Sequence, residues 1–162
     1  MANQATFTKL IQEHQALLLK VTSIYTDTKQ DQEDLFQEVV YQLWKYFDTF
    51  RNESKITTWM YRVAMNTAIT HLKKDKKRPD SVPIADAILK QTEQKDTVHE
   101  ERLRWLYLQL HQLNTLDRGL IFLLLEGKSY QEISKITGLN PSNLGTRISR
   151  IKSKLKTNVT KS

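Results

Sequence analysis

The chain has 162 residues, 25 Lys and Arg against 18 Asp and Glu for a net charge of +7, and no cysteine. Such a length holds one ordinary domain or two small ones, and 39% hydrophobic with 27% charged residues is the composition of a folded protein with a modest core. The missing cysteines exclude a disulfide scaffold, a thiolate zinc site and a cysteine nucleophile, and no run approaches the roughly 18 apolar residues of a membrane span.

Four glycines and three prolines argue against a turn-rich all-β chain, so the expected class is all-α. The N-terminus has no basic region followed by an apolar block, so a cytoplasmic protein is expected, without membrane insertion. A first helix is expected over Phe7 to about Tyr25, carrying Leu10, Ile11, Leu17, Leu18, Val21 and Ile24. In a second, Leu35, Phe36, Val39, Val40, Leu43, Trp44 and Phe47 form one stripe of period 3.6. Asp31 is the expected N-cap, with acids in the first turn facing the positive end of the helix dipole. Asp48 to Lys55 is too polar for core and reads as a surface loop. A third helix runs from Thr57 or Thr58 to about Lys74, burying part of Trp59, Met60, Val63, Ala64, Thr67 and Ile69.

The basic run Lys73-Lys74-Asp75-Lys76-Lys77-Arg78 is followed by Pro79-Asp80-Ser81-Val82-Pro83, where two prolines interrupt any helix. Residues 79–98 therefore read as a flexible linker with one short helix at Ile84 to Leu89, dividing the chain into halves 1–78 and 99–162. Helices follow at about Glu100 to Gln112 and Asp117 to Glu126.

Gly127 to Leu155 reads as a helix-turn-helix. Ser129 with Glu132 is a capping box, and Gly138 offers the left-handed stop. Asn140 then caps a second helix with Pro141 at its first position. Leu144, Ile148, Ile151 and Leu155 form its apolar face, and Asn143, Thr146, Arg147, Ser149, Arg150 and Lys154 the opposite one. From Ile133 to Ser162 the chain carries seven basic residues and no acid. A helix apolar on one side and rich in Arg, Thr, Ser and Asn on the other suits the major groove. The bland alternative is an αα-hairpin with a solvated basic face.

These residues carry a resemblance. Asp31 to Val40, then Phe50-Arg51-Asn52, then Ile56 to Ala68 resembles domain 2 of bacterial sigma factors. Gly127 to Ser134 followed by Asn143 to Arg150 resembles their domain 4. The order of the two, the short linker and the lack of a domain 3 resemble the extracytoplasmic-function (ECF) subfamily. The resemblance implies domain 2 over 1–78, a linker over 79–98 and domain 4 over 99–162. It implies a promoter-specificity subunit whose partners are core RNA polymerase, promoter DNA and, in many relatives, an anti-sigma factor, membrane-bound or soluble.

By position, Asp34, Gln37 and Glu38 match the polymerase-docking helix. Phe50, Arg51, Asn52 and Lys55 match the loop that captures a flipped −10 base, and Asn66 a position contacting the same element. Extruding a base costs a few kcal/mol, so such a pocket also stabilises melted DNA. Trp59 and Tyr61 are candidates to stack on unpaired bases, although helical aromatics are more often core and core is the favoured reading for Trp59. Asn143, Thr146, Ser149 and Arg150 match positions facing the −35 element, and Arg147 a phosphate contact. Gly145 departs from the pattern, standing where many relatives carry a polar or basic side chain.

Other classes fit less well. An enzyme lacks support: the acids have no histidine constellation, the four histidines are scattered, and no Gly-rich phosphate loop appears. No catalytic residue, metal or cofactor is expected. The main alternative is a helix-turn-helix regulator that binds duplex DNA without polymerase. A helical protein-interaction module is a third.

Overall fold

Two helices stand where one was expected at the start of the chain: α1 (Gln4–Glu13) and α2 (Gln15–Ile24). They part at His14 (φ −113, ψ 20), the place where the period of Leu10, Leu17 and Leu18 calls for an apolar side chain and finds a polar one. Helix α3 (Lys29–Tyr46) begins one turn before the expected cap. Thr28 is the N-cap, its hydroxyl accepting from the Asp31 amide at 3.1 Å. Asp31 is thus a buried first-turn residue, where its charge still faces the helix dipole. A 3-10 turn, Phe47–Thr49, closes α3, and α4 (Ile56–Lys74) follows.

The computed structural model describes residues 4–50, 55–74 and 97–161, and among these every helix is α or 3-10 and there is no β-strand. The expected short helix at 84–89, and the segment between the two prolines, lie outside the described residues. The second half contains α5 (Thr97–Gln112), α6 (Thr115–Leu125), α7 (Tyr130–Thr137) and α8 (Pro141–Lys161). Asn114 caps α6, accepting from the Asp117 amide at 2.9 Å, so Asp117 is again inside the first turn instead of starting the helix.

Helices α2, α3 and α4 form a bundle around Leu18, Val21, Leu35, Val39, Leu43 and Met60, all with no exposed surface. Ala64 and Ala68, also fully buried, let the helices approach closely along the same seam. In the second half, Leu120, Leu123, Ile133, Leu144 and Ile148 close a smaller core of α6, α7 and α8.

The two halves pack on each other, which the expectation of domains on a flexible linker did not contain. Helix α4 lies against α7, and α2 against α5 and α6. Tyr61 meets Phe122 edge-on with ring centroids 6.3 Å apart, and its hydroxyl reaches the Glu126 carboxylate at 3.2 Å. Glu126 also pairs with Lys20 at 3.3 Å. Arg118 donates to the Ile24 carbonyl at 3.1 Å and to those of His111 and Leu113. Tyr25, 1% exposed, donates to the Thr115 carbonyl at 3.3 Å. Burial raises both the Tyr25 and Tyr61 hydroxyls well above the usual phenol range, the Glu126 charge adding to the second.

Leu144 sits at the centre of the α7–α8 contact with no exposed surface. Leu144→Ala should lower the unfolding free energy by about 2–5 kcal/mol, measured by urea denaturation followed by circular dichroism.

Candidate functional site

Helix α7 is fixed at both ends by local chemistry. Ser129 accepts from the Glu132 amide, and the Glu132 carboxylate accepts from the Ser129 amide at 3.3 Å, a complete capping box. Gly138, at φ 81, ends the helix in the left-handed region that a side chain would strain. Asn140 Oδ1 then accepts from the Ser142 amide at 2.9 Å, and the Leu144 amide from α8 donates to the Asn140 carbonyl at 3.0 Å. Helix α8 is aimed by these two short turns.

Its inner face, Leu144, Ile148 and Ile151, is buried, so the opposite face is turned to solvent. Asn143, Thr146, Ser149 and Arg150 are all exposed there. Arg147 differs: its Nε donates to Asp117 Oδ1 at 2.6 Å, with the arginine side chain 42% exposed. The carboxylate, from the first turn of α6, holds the guanidinium at the edge of the exposed face. Asp117 lies thirty positions upstream, and no local pattern connects it with Arg147. At Gly145, an added Cβ would meet the Tyr130 ring at 3.7 Å, ordinary contact, so packing does not impose the glycine.

On α3, Gln37 and Glu38 are exposed and Asp34 is half-buried, all on the side away from Leu35, Val39 and Leu43. Glu38 accepts from Gln42 at 3.1 Å. Glu38 also lines, with Tyr46 from α3 and Asn66 and His71 from α4, a groove between the two helices. The acidic face and Asn66, assigned separately from the sequence, thus border one surface.

Of the loop set, Arg51 and Asn52 lie outside the described residues; Lys55 is exposed and Phe50 half-buried. Trp59 is corrected: it is 8% exposed, with its ring 5.2 Å from Phe50 and 6.4 Å from Phe47. A buried indole packed against two phenyl rings offers no open face for a base. Among the described residues no three His, Cys, Asp or Glu side chains converge as a metal set, and no helix is long and apolar enough to cross a membrane.

The chain matches the family models of Sigma-70 region 2 over residues 10–78 and Sigma-70 region 4 over residues 103–155. It is 29% identical to the ECF RNA polymerase sigma-E factor of Escherichia coli K12, over 91% of this chain and 83% of that protein. It is 39% identical to the ECF RNA polymerase sigma factor SigG of Mycobacterium tuberculosis H37Rv over 54 residues, 33% of this chain and 15% of that protein. Two solved structures share the fold. CnrH in complex with the cytosolic domain of CnrY superposes with a TM-score of 0.72 at 20% identity, over 99% of this chain and 92% of that one. The sigma factor RpoE with the anti-sigma factor NepR from Bartonella quintana gives 0.71 at 17%, over 96% and 97%.

The Ser129 amide and hydroxyl, with Lys128 nearby, hold the Glu132 carboxyl below the usual carboxylate range. A carboxyl depressed in the folded state adds stability above its unfolded pKa, and that addition disappears as pH falls through the folded value. The urea midpoint should therefore fall more steeply between pH of about 5 and about 3 in the native chain than in Glu132→Gln.

Proposed function

The chain belongs to the extracytoplasmic-function sigma factors, and from that premise we propose that it binds core RNA polymerase, directs it to specific promoters and stabilises the melted −10 region. The carrying observation is the division of surfaces between halves. The first half presents Asp34, Gln37 and Glu38 on one face of α3, and the second presents an acid-free polar helix, α8, capped to stand out from its core.

In this reading the acidic face docks on a basic surface of the polymerase. Asn143, Thr146, Ser149 and Arg150 read base edges of the −35 element in the major groove, and Arg147, oriented by Asp117, binds phosphate. Residues Phe50 to Lys55 and Asn66 engage the opened −10 strand, with Trp59 packed against Phe50. The domains are 1–78 and 99–162 with 79–98 between them. Two weak DNA contacts carried on one chain and tethered to polymerase gain from effective concentration, so small domains suffice. The protein itself catalyses nothing and works in the cytoplasm. An anti-sigma factor is a further partner, as the two structural neighbours are each solved with a bound protein.

In vitro transcription on genomic fragments with sigma-free core polymerase tests this directly. Discrete transcripts should depend on the protein and fall at least about tenfold with Asp34→Lys/Glu38→Lys, a loss of about 1.4 kcal/mol in docking. Specific duplex binding by the protein alone, with no transcripts, would instead identify a regulator that acts without polymerase.

Arg147 has its own signature. Arg147→Met should weaken binding to a −35 duplex across all sequences and reduce the log–log salt slope by about 0.9, read by fluorescence anisotropy over a salt series.

A further inference from the structure

Helix α3 buries one stripe and turns the opposite one to solvent, and the centre of that outer stripe is an aromatic ring. Leu35, Val39 and Leu43 define the inward direction, and at about 100° per residue Tyr41 points roughly 160° away from it. Asp34, Gln37 and Lys45 lie within about 40° of Tyr41 around the helix, and Glu38 and Trp44 within about 60°. Tyr41 is 56% exposed, as open as any large apolar side chain among the described residues. Nothing among those residues bonds its hydroxyl or stacks on its ring. Trp44 beside it is 40% exposed, and its inner edge is held. Phe7 meets the indole edge-on with centroids 5.0 Å apart, and Phe7 is itself buried and packed on Phe47 at 5.3 Å. Phe7 precedes residues 10–78, the part that matches Sigma-70 region 2, so this brace stands outside the matched segment.

A single exposed ring is ordinary on a protein surface. This one is set apart by its neighbours: a second aromatic side chain fixed beside it, and charged or amide side chains around both. Protein interfaces are built in that way, with Tyr and Trp anchors at the centre, depleted of charge, and a polar rim that excludes water. The face also has a direction. Along the helix Asp34 stands about 10 Å before Tyr41, and Lys45 about 6 Å after it, at 1.5 Å per residue. A surface that fits it offers an apolar pocket, with basic groups on one side and an acid on the other.

We propose that Tyr41, walled by the Trp44 that Phe7 holds, is the anchor by which this chain grips core RNA polymerase, its ring filling an apolar pocket there. The inference rests on the reading of α3 as the docking helix and divides the labour on it. Asp34 and Glu38 lie at the rim and stay near water, so they steer the approach and act on the association rate. Tyr41 is desolvated only once the surfaces have met, so it acts on the dissociation rate. The ring supplies the contact, and its hydroxyl stays at the mouth of the pocket.

Surface plasmon resonance with the full chain tethered and sigma-free core polymerase flowed over it, across a salt series, measures both rates. Tyr41→Ala should dissociate at least about tenfold faster, with association changed less than about twofold and its salt dependence kept. Trp44→Ala should dissociate at least about threefold faster, and Tyr41→Phe should keep the native rate. Tyr46→Ala, an exposed aromatic on the same helix but roughly 140° away from Tyr41, should stay within about twofold of native. Asp34→Lys/Glu38→Lys should instead slow association and lose its acceleration at low salt. Circular dichroism checks that helix content is native, and Tyr41→Gln, another good helix former, decides the matter should Tyr41→Ala lose helix. A native dissociation rate in the Tyr41 or Trp44 variant, or an equal rise in Tyr46→Ala, would overturn the proposal. A native chain that fails to bind polymerase overturns the docking reading and the anchor with it, whereas binding that ignores Tyr41→Ala overturns the anchor alone.

Discussion

Helix α4 carries two seams. Met60, Ala64 and Ala68 repeat every four residues and are sealed without exposed surface against α2 and α3. Tyr61 and Met65 lie about 100° around the helix and face α6 instead, while Arg62 beside them reaches the Lys135 carbonyl of α7. The first seam fixes the acidic helix α3, since Leu35, Val39 and Leu43 must enter the same core and Asp34, Gln37 and Glu38 are thereby turned outward. The second fixes where the helix-turn-helix sits, because α7 rests on α4 while α8 is held one layer further out. A change on the first seam removes core; a change on the second shifts one half relative to the other.

The seams differ in chemistry as well as position. The inner one is mainly apolar, with Gln32 of α3 donating to the Leu19 carbonyl of α2 at its edge, while the outer one mixes rings with hydrogen bonds from Tyr25, Tyr61, Arg62, His111 and Arg118. Each such bond contributes about 1 kcal/mol net, because water replaces it when the surfaces part. Burial lowers the Arg118 pKa, and carbonyls offset the lost water. Mixed surfaces of this kind are typical of domains that move relative to each other, whereas an apolar seam would hold them permanently.

The nucleic-acid face owes its precision to short-range chemistry and its reach to long-range packing. The capping box, the left-handed Gly138 and the Asn140 cap confine the turn to a few residues, so the direction of α8 follows from that of α7. Asp117, by contrast, arrives from α6 to hold Arg147, and the core of Leu120, Ile133 and Ile148 places it there. The Arg147 side chain is thus set by tertiary packing, while its exposed neighbours on α8 are set by helical period alone.

Helical period and local capping are properties of neighbouring residues, and the sequence by itself determined what depends on them: the all-helical class, the buried and exposed faces of α3 and α8, the capping box at Ser129 and the stop at Gly138. It misplaced the starts of α3 and α6 because Thr28 and Asn114 each offer a capping oxygen one turn before the first acid, and several polar residues in a row leave the cap degenerate. It kept α1 and α2 as one helix because a single polar residue on an apolar stripe weighs little in a periodicity. Trp59 remained ambiguous, since a helical aromatic has the same spacing whether its ring meets a base or Phe50. The tertiary structure alone decided that the halves meet and that Asp117 holds Arg147. Those contacts join residues dozens of positions apart, and their energies depend on shape and desolvation at the point of contact, which no local pattern encodes.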